Sequence, residues 1–268
     1  MPPLVSIIIP TRNSAPTIRQ CLESVKNQTY SNIETIVVDN NSHDTTVQIA
    51  RNYGSIVFTR GPERSAQMNY GIRNSNGKYA YRLDSDMTAG PRVVEEAVEI
   101  CELNSLDGVI IRVVSDPTVS FWSKVRSFER KNLYSYGSNV AVRFFSRNAF
   151  DKINGFDESL NGFEDYDLHD RFVAAGYRFG RINSNEIHLG EPKTLAEIVR
   201  KHAYYGRDLK KYLSGKSANR KQSAKRLSII RSGQANLLSE LRRQPIIFLG
   251  LIVYQSVRYL ATALGMLS

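Results

Sequence analysis

Four short apolar runs alternate with helix-patterned segments in the first third of the chain, and that rhythm constrains the fold more than any other feature. Val5-Ser-Ile-Ile-Ile9 is continuous, apolar and rich in β-branched residues, as expected of a strand buried on both faces. It ends at Pro10-Thr-Arg-Asn-Ser14. Pro16 then stands at a helix start, and Ile18, Cys21, Leu22 and Val25 recur at helical spacing. Residues 33–38 form a second strand pattern, ending in Asp39-Asn-Asn-Ser-His-Asp-Thr-Thr46. There Asp44-Thr-Thr can cap a helix carrying Val47, Ile49 and Ala50. Residues 55–59 read as a third strand. A polar loop with Arg64, a helix over 65–74 and a fourth strand over 79–83 follow. Short β-α-β connections predict a parallel, doubly wound α/β sheet, whose ligands lie beyond the carboxyl ends of the strands.

Asp84 and Asp86 close the fourth strand. Alternate residues of an extended segment point to one side, so the two carboxylates can converge. Hard oxygen ligands of this kind suit Mg²⁺ or Mn²⁺ carrying a diphosphate. An isolated Asp-x-Asp is weak evidence, since such pairs are common in solvated turns. Its weight comes from Thr11, Asp39 and Arg64, which occupy the ends of the other strands or the loops after them.

A helix over 93–103 and a strand over 108–114 follow. The aromatic, amphipathic segment 121–136, with Trp122 and Tyr136, is either a packing helix or part of an acceptor site. Residues 138–143 resemble a strand. Residues 150–160 read as a helix end, a glycine turn and a polar loop. Gly162-Phe-Glu-Asp-Tyr-Asp-Leu-His-Asp-Arg171 opens a helix that stops at Gly176, with Glu164, Asp165 and Asp167 in its first turn. The helix dipole favours ionised carboxylates there, and capping alone accounts for one acid of the three. A strand over 177–182 precedes Glu186-Ile-His188.

Taken in order, these elements resemble family 2 glycosyltransferases of the GT-A fold. The resemblance rests on Val5-Ser-Ile-Ile-Ile-Pro-Thr-Arg-Asn13, Val37-Val-Asp-Asn-Asn-Ser-His-Asp44, Arg64-Ser-Ala-Gln-Met-Asn-Tyr-Gly71, Asp84-Ser-Asp86, Asn154-Gly-Phe-Asp157 and Glu164-Asp165. It implies an inverting transferase that uses a UDP- or GDP-linked sugar donor. Thr11 and Asp39 would face the nucleobase and ribose, and Arg64 the base or diphosphate. Pro10, Arg12, Asn13, Asn41, Asn69 and Ser85 would complete the donor site. Asp84 would contact ribose or a metal-bound water and Asp86 the metal, with His188 as a further metal contact. Asp165 would be the general base, supported by Glu164. A nucleotidyltransferase or a non-catalytic sugar-nucleotide binder are the alternative readings. The first would need more basic residues in the first loop than Arg12, and the Glu164-Asp165 pair speaks against the second.

The formal charge of +10 is unevenly distributed. Residues 193–243 carry fourteen Lys/Arg against three Asp/Glu, while the first 192 residues carry 21 basic and 23 acidic side chains. The division implied is a catalytic domain over 1–192, with a nucleotide half to about 90 and an acceptor half beyond, and a basic helical extension over 193–268. Aromatic platforms are sparse in the extension, which disfavours nucleic acid and favours an anionic membrane surface. Residues 194–212 are patterned as an amphipathic helix. Residues 245–267 are apolar, and about 22 helical residues reach roughly 33 Å, enough to cross a bilayer. Gln255, Arg258 and Thr262 form one polar stripe there, and a central Arg costs ~2.5–3.5 kcal/mol in a span. An in-plane helix is therefore preferred over a single span or an oligomer-forming helix. The N-terminus reads as a strand without a secretory leader, and Cys21 and Cys101 as buried free thiols. The expected location is the cytoplasmic membrane face, with a lipid-linked or growing glycan as acceptor.

Overall fold

The computed structural model describes residues 1–132, 141–160, 162–214 and 243–267. In chain order the elements are β1 (Val5–Thr11), α1 (Ala15–Lys26), β2 (Ile33–Asp39), α2 (Thr46–Asn52), β3 (Ile56–Thr59), α3 (Arg64–Arg73), β4 (Tyr79–Arg82) and β5 (Met87–Ala89). There follow α4 (Val93–Asn104), β6 (Gly108–Ser115), α5 (Phe121–Asn132), β7 (Phe144–Ser146), α6 (Arg147–Lys152), α7 (Glu164–Ala174), β8 (Phe179–His188), α8 (Leu195–Ser214) and α9 (Pro245–Leu267).

The strands form one eight-stranded sheet in the order β3-β2-β1-β4-β7-β6-β8-β5. β1 pairs in parallel with β2 and β4, and β2 in parallel with β3. This is the doubly wound half read from the sequence. Beyond it β7 runs antiparallel to both β4 and β6. Register brings Thr11 opposite Asp39 and Asp39 opposite Thr59, so three loops leave the sheet side by side.

The chain divides into two compact units, residues 1–112 with 141–187, and 113–140 with 188–268. α5 groups with the C-terminal helices in the second of these units. In the first unit Ile8, Ile36, Val38, Met68, Ile72, Phe145, Phe150, Leu168 and Phe172 make a continuous core. Each such side chain stabilises the fold by roughly 1.5–3 kcal/mol when fully buried. Gly71 lets α3 lie close on the sheet, since a Cβ there would meet Ile8 Cγ2 at 2.6 Å. In the second unit Val125, Phe128, Ile198, Leu251 and Tyr254 pack α5, α8 and α9 together. Gly206 and Gly265 permit the α8–α9 approach, because a Cβ on Gly265 would stand 2.0 Å from Ala203 O.

Some expectations shift. The strand expected at 138–143 lies over Phe144–Ser146, where a ladder with β4 exists; residues 141–143 are not strand and 138–140 lie outside the described residues. The strand expected over 177–182 extends to His188. The polar stripe of α9 turns inward: Gln255 donates to Glu129, and Arg258 Nη1 lies 3.0 Å from Glu129 Oε1. Both cysteines are free and buried.

Candidate active site

Everything at this site in the first unit starts from the strand ends. Thr11 closes β1 and donates to Asp39 Oδ1 at 2.8 Å, one strand over. Ser42 fixes the same carboxylate through its amide, 2.8 Å from Oδ2, and its hydroxyl, 2.6 Å from Oδ1. The loops on either side interlock, with Asn13 N donating to Ser42 Oγ and His43 N to Asn13 Oδ1. Asn13 and Asn41 both adopt φ 50°, the left-handed region that Asn tolerates better than most residues. Asn41 and Arg12 are exposed, while Pro10 is buried within β1. Gln67 reaches from α3 to the carbonyls of Thr11 (2.9 Å) and Val38 (2.6 Å), tying the two strand ends together.

At the end of β4 the chain turns, with Met87 N donating to Asp84 O. Ser85 meets Ser14 through their hydroxyls at 2.9 Å. Asp84 is buried among three guanidiniums: Arg143 Nη2 at 3.1 Å, Arg82 Nη2 at 3.6 Å and Arg64 Nη1 at 3.7 Å. Burial pushes its carboxyl up, but Arg82, Arg143 and Arg64 outweigh that and hold it well below the usual range. Behind it, Arg143 Nε lies 2.8 Å from Glu186 Oε2, and Tyr81 donates to Glu186 Oε1 at 2.9 Å. Asp86 is half-buried.

The acids of α7 take three different places. Glu164 is buried and ion-paired with Arg64. Burial first, and then the neighbouring Asp165 charge, raise its carboxyl, against the pull of Arg64 and Arg82. Asp165 keeps 28% of its side chain exposed, with Oδ2 3.6 Å from Arg82 Nη2. Asp167 pairs with Arg171 at 2.8 Å, an i,i+4 contact that serves the helix. Arg82 thus stands between Asp84 and Asp165, residues 81 positions apart in the chain.

The Asn69 amide bonds to Phe156 O (2.9 Å), Phe156 N (2.8 Å) and Glu158 Oε1 (2.8 Å), clamping α3 to the loop after Gly155. Trp122 lies in the second unit, its ring 6.3 Å from that of Tyr254. His188 also belongs to that unit, with Nδ1 3.3 Å from Glu191 Oε1. Tyr136 lies outside the described residues. Among the described residues no group of three or more His, Cys, Asp or Glu is gathered as a metal cage.

Arg82, Arg143, Glu186, Gln67 and Ser42 were not singled out from sequence. Arg82 carried a signal, a charge inside an otherwise apolar strand two residues before Asp84. Arg143 and Glu186 carried none, because tertiary pairing alone brings them together.

The family model "Glycosyl transferase family 2" matches residues 6–160. An uncharacterized glycosyltransferase of Rickettsia typhi is 32% identical over 192 residues, covering 64% of this chain and 59% of that protein. Chondroitin synthase of Escherichia coli is 28% identical over 221 residues, 73% of this chain and 30% of the synthase. The chain therefore spans less than two thirds of the length of these relatives. Among solved structures, the mannosyltransferase PcManGT of Pyrobaculum calidifontis, in complex with GDP-Man and Mn²⁺, superposes with a TM-score of 0.67 at 18% identity. That match covers all of this chain and 88% of the other, and it shows the shared fold.

Proposed function

Because the chain belongs to glycosyl transferase family 2, we propose that it moves a sugar from a nucleoside-diphosphate donor to an acceptor hydroxyl with inversion at the anomeric carbon. The observation that carries this reading is the meeting of Asp84 and Asp165 on one guanidinium, with Nη2 of Arg82 3.6 Å from each. Thr11 and Asp39 form the nucleoside end, their geometry held by Ser42 and Gln67. Asp165 is the base. It is the partly exposed acid of its helix turn, whereas Glu164 is buried against Arg64. It takes the acceptor's proton as that oxygen attacks the face opposite the leaving diphosphate, so no covalent enzyme intermediate forms.

Asp86 fits a divalent cation better than Asp84 does. Mg²⁺ and Mn²⁺ sites commonly combine one or two carboxylates with substrate phosphates, so a cage of protein ligands is not required. Asp86 is half-buried at the strand end, while the Asp84 carboxylate is already ringed by arginines. A cation held there neutralises charge on the leaving diphosphate. PcManGT, the structural neighbour with GDP-Man and Mn²⁺, supports this choice of donor class and metal.

The second unit attaches the enzyme to a membrane on this reading. α9 is the one helix among the described residues long and apolar enough to cross a bilayer. Its inner face carries Gly250, Leu251, Tyr254 and Ala261, while Ile246, Leu249, Leu260 and Leu264 are 60–71% exposed. A helix with one side packed on its own unit and the other apolar and open suits insertion in the plane of the interface, aided by the basic segment 193–243. A lipid-linked or growing glycan acceptor is consistent with that location. The test is a transfer assay with a panel of UDP- and GDP-sugars in Mn²⁺, with the product's anomeric configuration read by NMR. Inverted product supports the reading; retention, or nucleotidyl transfer instead, overturns it.

A further inference from the structure

Arg82 ends β4 two residues before Asp84, so strand alternation sets both side chains on one side. It is 3% exposed. Its Nη2 stands 3.6 Å from Asp84 Oδ2 and 3.6 Å from Asp165 Oδ2. These are ion-pairing distances, longer than an ordinary hydrogen bond. Its Nε and Nη1 are buried and make no hydrogen bond. A guanidinium has five N–H donors, three of them on those two nitrogens, and burying charged donors unpaired is unfavourable.

Ion pairing accounts for Nη2 and leaves the other two nitrogens of Arg82 unexplained. Asp84 already has Arg143 Nη2 at 3.1 Å and Arg64 Nη1 at 3.7 Å. Among the described residues Asp165 is ion-paired with Arg82 alone, and it is the side of the pair that opens to solvent. An under-bonded cation is thus held between the carboxylate at the donor end and the acid at the acceptor end.

We infer that Arg82 grips the sugar portion of the donor, donating to its hydroxyl oxygens and so positioning the anomeric carbon before Asp165. This assignment rests on the glycosyltransferase reading and adds to it a residue that senses the hexose instead of the nucleotide. Neutral hydroxyl oxygens accept from a guanidinium without the repulsion that a second cation would meet. The planar fork can serve two neighbouring hydroxyls at once, which an ammonium cannot match.

The experiment is calorimetry on the full chain in Mn²⁺, with UDP against UDP-GlcNAc and GDP against GDP-mannose, for wild type, Arg82→Met and Arg82→Lys. Thermal denaturation verifies that each variant is folded, and the lysine variant stands in should the methionine variant fail to fold. For whichever nucleotide the wild type accepts, the variants should bind the bare diphosphate within about twofold, while the nucleotide sugar weakens about tenfold, a loss of about 1.4 kcal/mol. Lysine should restore part of that difference and methionine none. Equal weakening of diphosphate and nucleotide sugar, or no change in either, overturns the inference while leaving the glycosyltransferase reading intact. A wild type that binds none of the four ligands overturns both.

Discussion

In the first unit Arg64, Arg82 and Arg143 surround Asp84; in the second, Arg126, Arg130 and Arg258 surround Glu129 and Glu191. The ingredients match, but the exposure does not. Glu129 and Glu191 have side chains 0% and 2% exposed; Glu191 lies just after β8, and the arginines that pair with the two come from α5 and α9. At the other cluster Arg64 keeps 34% and Asp165 28% of the side chain open. Buried ion pairs seldom add stability over apolar packing, yet breaking one is costly because a charge is left dry. The closed cluster therefore specifies how α9 seats on α5. The open one retains a solvent-facing edge, which the proposed function assigns to substrate charge and hydroxyls.

The comparison breaks most visibly at Glu129. Glu129→Ala removes a buried carboxylate partner of both Arg258 and Arg126, and should cost about 3–5 kcal/mol in urea unfolding while nucleoside diphosphate affinity stays within about twofold. An equal loss of affinity would mean that the two clusters are one functional system.

His202 sharpens the same contrast through pH. Burial, with Arg258, Arg126 and Lys201 around it and Glu129 opposing them, lowers its pKa from 6.5 to about 3. The unfolded chain takes up this proton first as pH falls. The stability contribution is therefore fully present above pH ~6.5 and is lost progressively towards pH ~3, by at most ~1.4 kcal/mol per pH unit. In His202→Gln, unfolding midpoints measured across that window should fall less steeply with acid. Parallel curves for variant and wild type would remove His202 from the account.

The smallest effect on folding belongs to the outer face of α9. Leu260, 66% exposed, replaced by Glu should change stability by no more than about 0.5 kcal/mol. Partition onto anionic vesicles should nevertheless weaken, since apolar contact and charge attraction are both reduced. Unchanged partition would exclude this face from lipid contact.

The first four strands were legible because their chemistry is local. Short β-branched runs favour strands, and the turn residues after them mark the loops. That pattern puts Thr11 and Asp39 at strand ends and Asp84 just after one, while helix patterning puts Asp165 in the first turn of α7. β7 was misplaced because the few residues that pair with β4 carry no alternation of their own. The stripe Gln255–Arg258–Thr262 was visible, but not its target: Glu129 lies more than a hundred residues earlier and announces nothing locally. Arg143 and Glu186 escaped notice for the same reason.

The most direct test of the central claim is Asp165→Asn. The side chain keeps its shape and loses the capacity to accept the acceptor's proton. Transfer should fall by about 10²–10⁴, with nucleoside diphosphate binding in Mn²⁺ within about twofold of wild type. Donor binding lost in proportion to transfer would contradict the assignment of this carboxylate as the base.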